Sequence, residues 1–268
     1  MTSWVRFRTR PFCLGSVALA LAGCATVSPT GPTAALRSPP GASIPGVVRT
    51  IVIDAGHGGQ DPGTSHFGLK EKYLALDIAK RLRAQLQQHG LTVAMTRDSD
   101  RFIPLSGRPA IANRMNADLF VSVHINANRN RRVSGIEVYY PRASVVSASA
   151  QWPPTVLPTE VADPSDSVKQ VLWDLVLKLT RAQSRRLASS VCRAMRTGLQ
   201  VNCRGIKPAR FVVLREAWMP AILVEVGYVS NQTEASRLRR ADYREAAAQS
   251  ISQGILAYIR DQGGAEHI

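Results

Sequence analysis

The sequence of 268 residues has few aromatic side chains and no long apolar run. Aromatic residues make up 6% of it, and they do not interleave with basic residues to form the stacking surface of a single-strand nucleic-acid binder. The apolar stretch 12–22 is too short to span a bilayer. No segment is repeated along the chain. These absences argue against a nucleic-acid-binding protein, a membrane-spanning protein and a repeat protein.

Cysteine is also scarce, and two of the four cysteines lie near the amino terminus. There, three arginines precede the apolar stretch, as in a signal peptide. Leu21-Ala22-Gly23-Cys24 resembles a bacterial lipobox, which predicts that residues 1–23 are a lipoprotein signal peptide and that Cys24 carries lipid. An ordinary signal peptide that contains a cysteine is the alternative. Ala25 after the cysteine predicts a periplasmic protein anchored to the outer membrane.

Residues 24–47 are rich in Pro, Ser and Gly and almost free of charge, which predicts a flexible tether. The remaining chain is long enough for one domain with a single core, expected over residues 48–262. The two other cysteines, Cys192 and Cys203, lie in this domain. Export would allow them to form a disulfide, but their spacing does not decide whether they do.

Short apolar runs alternate with helical periodicity along this domain, which predicts an α/β fold. We expect a single mostly parallel or mixed, twisted sheet of about six strands with helices on both faces. The predicted strands are Thr50–Asp54, Thr92–Thr96, Leu119–His124, Gly135–Tyr139, Phe211–Leu214 and Ala221–Val226. The predicted helices are Lys70–Gln88, Pro104–Met115, Ser167–Thr197 with a break allowed near Thr180, and Ala241–Ile259.

Three of the predicted strands lead into a polar residue that can serve a metal site. His57 follows the first strand in Gly56-His57-Gly58-Gly59, His124 ends another, and Glu225 lies in a third. Side chains at the carboxyl ends of neighbouring parallel strands converge on one crevice. With Glu71 as third ligand, two imidazoles and a carboxylate would form a catalytic zinc site that leaves one position open. Glu225 would then serve as general base and acid.

Taken singly, each of these residues has a structural explanation. An isolated histidine is more often part of a loop or core than a ligand, and Glu71 can complement the dipole of the helix that it opens. Glu225 is harder to explain in this way, because an ionised carboxylate inside an apolar strand is costly unless it is paired or functional.

Four ordered motifs resemble the zinc-dependent N-acetylmuramoyl-L-alanine amidases of bacterial cell walls (amidase type 3). They are residues 51–63, Glu71-Lys72, residues 122–127 and residues 220–231. The resemblance implies that His57, Glu71 and His124 bind Zn²⁺ and that Glu225 is the catalytic carboxylate. It further implies a peptidoglycan hydrolase that cleaves the amide bond between N-acetylmuramic acid and L-alanine of the stem peptide. The alternatives are a zinc peptidase that acts within the stem peptide and a non-catalytic murein-binding lipoprotein.

Residues 142–180 carry a second functional signal. A Pro- and Ser-containing stretch leads into a helix with an apolar face, formed by Val168, Val171, Leu172, Leu175, Val176 and Leu179. Similar insertions in the cell-division branch of the resembling family block the zinc cleft until a protein activator displaces them. We therefore expect a regulatory insertion, in which Glu160, Asp163 or Asp166 could occupy the open zinc position. A helix that merely covers the sheet is the alternative.

The charge of the chain is strongly positive, with 34 basic and 19 acidic side chains and a formal net charge of +15. Removal of the three signal-peptide arginines leaves +12. A basic surface attracts anionic polymers in general, including peptidoglycan, lipid head groups and nucleic acid. The export signal argues against nucleic acid, so peptidoglycan and the membrane are the expected partners.

Overall fold

The computed structural model of the protein describes residues 48–142 and 166–263. Within these ranges the strands are β1 (Thr50–Ala55), β2 (Ser65–His66), β3 (Leu69–Lys70), β4 (Thr92–Met95), β5 (Leu119–Asn126), β6 (Ile136–Pro141), β7 (Cys203–Ala209) and β8 (Ala221–Tyr228). The helices are α1 (Glu71–Gln88), α2 (Gly107–Arg114), α3 (Asp166–Leu199), α4 (Val212–Arg215), α5 (Gln232–Arg239) and α6 (Ala241–Gly263). None of the described helices has both the length and the apolar composition that crossing a bilayer requires.

Six strands form one sheet in the order β4-β1-β5-β8-β6-β7. The pairs β1–β4, β1–β5, β5–β8 and β6–β7 are parallel, and β6–β8 is antiparallel. The sheet is therefore mixed, as predicted. The two short strands β2 and β3 form a separate hairpin between β1 and α1.

Alternating strand residues serve two hydrophobic cores of different size. On one face, Ile51 and Ile53 belong to the larger core, which includes buried side chains of α1, α3 and α6. On the other face, Val52 belongs to a smaller core with Ala112 of α2 and Val213 of α4. Helices thus cover both faces of the sheet.

Helix α1 shows how sequence periodicity fixes this packing. Leu74, Ile78, Leu82 and Leu86 recur every fourth residue and are at most 6% exposed. Such spacing places them on one side of a helix, and that side is buried in the larger core. The docked helix begins at Glu71, so its packing also positions this carboxylate.

Two details of the predicted secondary structure are wrong. The predicted strand Phe211–Leu214 is the one-turn helix α4, and the strand in this region is β7, which includes Gly205 and Pro208. Short apolar runs do not distinguish strand from helix, and an edge strand such as β7 tolerates proline because one side of its backbone needs no partner. The break allowed near Thr180 is absent, since α3 is continuous through that residue.

A disulfide joins Cys192 of α3 to Cys203 at the start of β7, with their Cα atoms 6.0 Å apart. The spacing of the two cysteines in the sequence left this pairing open. The bond ties the carboxyl-terminal half of α3 to the edge of the sheet.

Candidate active site

The loop that follows β1 carries His57 in a left-handed backbone conformation, with φ of 58°. Glycine at position 56 is required by close packing, because a Cβ atom there would clash with the ring of His124. A side chain at Gly63, where φ is likewise positive at 63°, would collide with Glu71 and His57. The glycines therefore let the backbone pass close to the polar side chains of the site.

His57, Glu71 and His124 come together as predicted. Nε2 of His57 lies 3.2 Å from Oε2 of Glu71, and Nδ1 of His124 lies 2.9 Å from Oε1 of the same carboxylate. One potential ligand atom from each residue lies within 4.8 Å of the others. The three residues could therefore hold a metal ion, and two nitrogens with one carboxylate oxygen are a donor set that suits zinc.

Backbone groups and a second carboxylate fix the orientation of these side chains. The amides of Thr64 and Ile125 donate to Oε2 and Oε1 of Glu71 at 2.9 and 3.0 Å. Oδ2 of Asp61 lies 2.7 Å from Nδ1 of His57 and can accept its proton, which leaves Nε2 of that ring free to bind a metal. Burial alone would raise the pKa of Glu71, but His124 and His57 lower it far below its usual range. The carboxylate is thus held ionised, as a metal ligand must be.

Glu225 lies on β8 directly across from His124 on β5. Its Oε2 atom is buried and has no hydrogen-bond partner among the described residues. Burial, and then the negative charges of Glu71 and Glu137, raise the pKa of Glu225 well above its usual range. A carboxyl group with a pKa raised by burial and by neighbouring negative charge is typical of the general acids and bases of enzymes.

Two buried arginines support the His57 loop from below. Arg108 of α2 forms an ion pair with Asp54 at 2.9 Å and donates to the carbonyl of His57 at 2.8 Å. Arg97 donates to the carbonyls of Ala55 and Gly56 at 2.9 and 2.7 Å. The loop carbonyls are therefore satisfied without water, and the backbone that carries His57 is held rigidly.

Sequence reasoning did not assign roles to Asp61, Arg97, Arg108 or Glu137. Asp61 was visible as a carboxylate four residues after His57, inside the first motif. Arg97 and Arg108 lie in a stretch that also resembles the family, but their burial could not be predicted, since a buried arginine cannot be distinguished by sequence from the other arginines of a basic chain. Glu137 could have been noticed as a charged residue inside an apolar strand, as Glu225 was.

The predicted regulatory insertion is only partly described. Residues 143–165, with Glu160 and Asp163, lie outside the described ranges, as does the side chain of Asp166. Three members of the predicted apolar face are solvent-exposed: Val171 at 68%, Leu175 at 52% and Leu179 at 57%. This edge of α3 therefore does not cover the sheet.

Comparison with known proteins agrees with this geometry. The sequence model of the family described as N-acetylmuramoyl-L-alanine amidase (Amidase_3) matches residues 51–257. N-acetylmuramoyl-L-alanine amidase AmiA of Escherichia coli (strain K12) is 34% identical over 232 residues, which cover 83% of this chain and 80% of AmiA.

Solved structures give the same result. The amidase AmiC2 of Nostoc punctiforme is 35% identical with a TM-score of 0.63, over 79% of this chain and 97% of that one. The CwlD amidase from Clostridioides difficile, solved in complex with the GerS lipoprotein, is 25% identical with a TM-score of 0.64, over 80% of this chain and 99% of that one. The predicted α/β class is thereby confirmed.

Proposed function

The chain belongs to the family of N-acetylmuramoyl-L-alanine amidases, and from this membership we propose that it works with a zinc ion held by His57, Glu71 and His124. It is a hydrolase whose substrate is peptidoglycan and whose target is the amide bond between N-acetylmuramic acid and L-alanine. The observation that carries the proposal is the buried Oε2 atom of Glu225, which has no hydrogen-bond partner among the described residues and belongs to a strand paired with that of His124, one of three residues that could hold zinc.

The donor set fits zinc better than a hard cation. Mg²⁺ and Ca²⁺ prefer oxygen ligands, whereas His57 and His124 offer ring nitrogens. Three protein ligands leave a coordination position free, which is typical of catalytic rather than structural zinc sites. When bound, zinc polarises the scissile carbonyl and makes water a stronger acid.

Glu225 is the proposed catalytic residue. Its carboxylate accepts a proton from the attacking water and later donates it to the leaving nitrogen of L-alanine. The raised pKa suits this exchange, because it makes the carboxylate a stronger base toward the attacking water and lets Glu225 carry the proton until the leaving nitrogen accepts it. The buried position of Oε2 excludes competing solvent contacts.

The test is hydrolysis of purified peptidoglycan by the full-length protein with zinc, with the products identified by mass spectrometry. Free stem peptides that begin with L-alanine are expected from the wild type. Glu225→Ala and His57→Ala should release none, and His57→Ala should also lose the rise in melting temperature that zinc gives to the wild type. His89→Ala is the matched control, because His89 is exposed at the end of α1 and should keep both properties. Fragments cut within the stem peptide would indicate a peptidase instead.

For the amino-terminal region we propose a lipid-anchored, periplasmic enzyme, with residues 1–23 as signal peptide, residues 24–47 as tether and residues 48–262 as catalytic domain. The lipobox-like sequence around Cys24 supports this assignment. Expressed in a diderm bacterium, the wild type should fractionate with the outer membrane and carry acyl chains. Cys24→Ser should be released in soluble form, and a wild-type protein that is equally soluble would contradict the anchor.

Residues 142–180 are the proposed regulatory insertion, displaced by a protein activator. The exposed apolar edge of Val171, Leu175 and Leu179 supports an exchange of partners here, and the CwlD structure contains a lipoprotein partner. Deletion of residues 151–180 should increase amidase activity, whereas deletion of residues 28–40 of the tether should not. A folded deletion variant without increased activity, with folding checked by circular dichroism, would contradict this proposal.

A further inference from the structure

A row of polar side chains crosses the three neighbouring strands β5, β8 and β6 beside the catalytic site. His124 of β5 is in register with Glu225 of β8, and Glu225 is in register with Glu137 of β6. Residues in register on paired strands point to the same face of a sheet. Glu137 therefore lies on the same face as the zinc ligand and the catalytic glutamate, one strand further from the proposed metal.

The side chain of Glu137 is only 4% exposed, and two cations balance its negative charge. Nζ of Lys207 donates to it at 2.6 Å and Nε of Arg204 at 3.3 Å. The hydroxyl of Tyr139 also donates to Glu137, at 2.5 Å. Both cations come from β7, the edge strand next to β6. Glu137 thus fixes two cationic side chains at the border of the site.

Lys207 and Arg204 carry more positive charge than Glu137 balances, and they have N–H donors without an acceptor among the described residues. Glu137, Lys207 and Arg204 together carry a net charge of +1. An ammonium group has three donors and a guanidinium group five. Among the described residues, Lys207 donates to one acceptor and Arg204 to two, the second being the carbonyl of Ser134 at 3.5 Å. Their side chains are 44% and 38% exposed, so the remaining donors can reach a ligand in solvent.

We propose that Arg204 and Lys207 form a binding site for a carboxylate of the stem peptide. The proposal rests on the amidase function, because it places this carboxylate in the substrate half that leaves with L-alanine. Charged donors that are already immobilised by Glu137 lose little freedom when they bind an anion. Bidentate geometry makes arginine particularly suited to carboxylates.

The spacing of the strands gives the position of that carboxylate. β7 is two strands from β8, and strands are about 4.8 Å apart, so the backbone of Arg204 and Lys207 lies about 10 Å from the strand of Glu225. Their cationic groups reach back to Glu137 on β6, so they lie between about 5 and 10 Å from that strand. An extended peptide spans about 3.3–3.6 Å per residue, so this interval corresponds to about two to three residues. The recognised group is therefore a carboxylate within about the first three residues of the stem peptide.

The experiment compares two synthetic muramoyl tripeptides, one with free carboxylates and one with carboxamides at the same positions. The full-length protein with zinc is assayed as wild type, Arg204→Gln and Lys207→Gln. Arg196→Gln is the matched control, since it removes one positive charge from an exposed residue of α3, the helix packed on the opposite face. Hydrogen bonds to charged groups are stronger than those to neutral groups. We therefore expect the kcat/KM of the wild type to be about 10- to 100-fold higher for the carboxylate substrate than for the carboxamide substrate.

Both site variants should lose most of that preference, mainly through a higher KM for the carboxylate substrate. The preference is the ratio of the two kcat/KM values, in which any effect of a less neutralised Glu137 on Glu225 is common to both substrates and cancels. Arg196→Gln should keep the full preference. A wild type without preference, or variants that lose activity on both substrates equally, would overturn the proposal.

A binding measurement separates this proposal from the catalytic one. Isothermal titration calorimetry with the product tripeptide and with its carboxamide form measures binding at the carboxylate site without any hydrolysis. Carboxylate-dependent binding that Arg204→Gln weakens, in a protein that hydrolyses neither substrate, would support the site and contradict the proposed catalytic residues. Hydrolysis of both substrates without carboxylate-dependent binding would support the proposed catalytic residues and contradict the carboxylate site.

Discussion

Glu225 and Glu137 lie directly opposite each other on the antiparallel strands β8 and β6. Two facing carboxylates of like charge destabilise a sheet unless one of them is neutralised. Lys207 and Arg204 neutralise Glu137 and Tyr139 donates a hydrogen bond to it, whereas Oε2 of Glu225 has no partner in the described part of the chain. The pair thus separates a structural carboxylate from one that is free to exchange protons.

This difference predicts that Glu225→Gln separates activity from stability. The variant should lose about 10²- to 10⁴-fold in kcat, because the proton transfer loses its carrier. In the metal-free protein it should melt at the same or a higher temperature, since a neutral amide is easier to bury than an unpaired carboxylate. Glu216→Gln, at a half-buried surface glutamate, is the control in both assays. A large fall in melting temperature would show that Glu225 is structural.

Asp61 is predicted to determine zinc affinity without touching the metal. Asp61→Ala removes the acceptor that orients the ring of His57, so zinc should bind about 10- to 100-fold more weakly. Competition with a chromogenic chelator measures the dissociation constant, with the exposed Asp98→Ala as control. Unchanged affinity in a folded Asp61→Ala protein would rule out the orienting role.

The buried ion pair of Arg108 and Asp54 is predicted to be essential for folding. Arg108→Met leaves the Asp54 carboxylate buried beside Thr96 and Ser122 without its cation, which should destabilise the domain by about 3–5 kcal/mol. Urea denaturation measures this loss. Arg114→Met, at the exposed end of the same helix, should cost less than about 0.5 kcal/mol. Equal losses in the two variants would refute the importance of the pair.

Asp77 is predicted to make stability depend on pH. It joins α1 to α6 through Arg244 and also binds Arg81. Burial would raise the pKa of Asp77, but the hydrogen bonds from both arginines outweigh it and lower the pKa below the usual 3.8. A lowered pKa in the folded state means that this stabilisation is complete above the unfolded pKa and is lost as the pH falls through the folded pKa.

Asp77→Asn should therefore be less stable than the wild type at pH 7, by about 1 kcal/mol for this partly exposed group. The difference should shrink as the pH is lowered past 3.8. Urea denaturation at a series of pH values measures it, and Asp98→Asn at an exposed position serves as control. A difference that is constant with pH would mean that the charge of Asp77 does not contribute.

The sequence by itself determined the zinc ligand candidates and the α/β class, because both depend on local order. His57, His124 and Glu225 each follow a short apolar run of the length of a strand. The four-residue periodicity from Leu74 to Leu86 predicts one buried helix face. Helix α1 packed by that face brings Glu71 to the two histidines, so this convergence could be anticipated.

Only the tertiary structure decided features that depend on contacts between distant residues. The same apolar periodicity fits a buried and an exposed helix edge, so the exposure of Val171, Leu175 and Leu179 could not be predicted. An apolar tetrad such as 211–214 fits a strand or a helical turn, and packing selected the turn. Strand order placed Glu137 beside Glu225 and brought Arg204 and Lys207 to the same border, although about seventy residues separate them from Glu137 in the chain. Register and burial are properties of the assembled sheet, and they give these charges their roles.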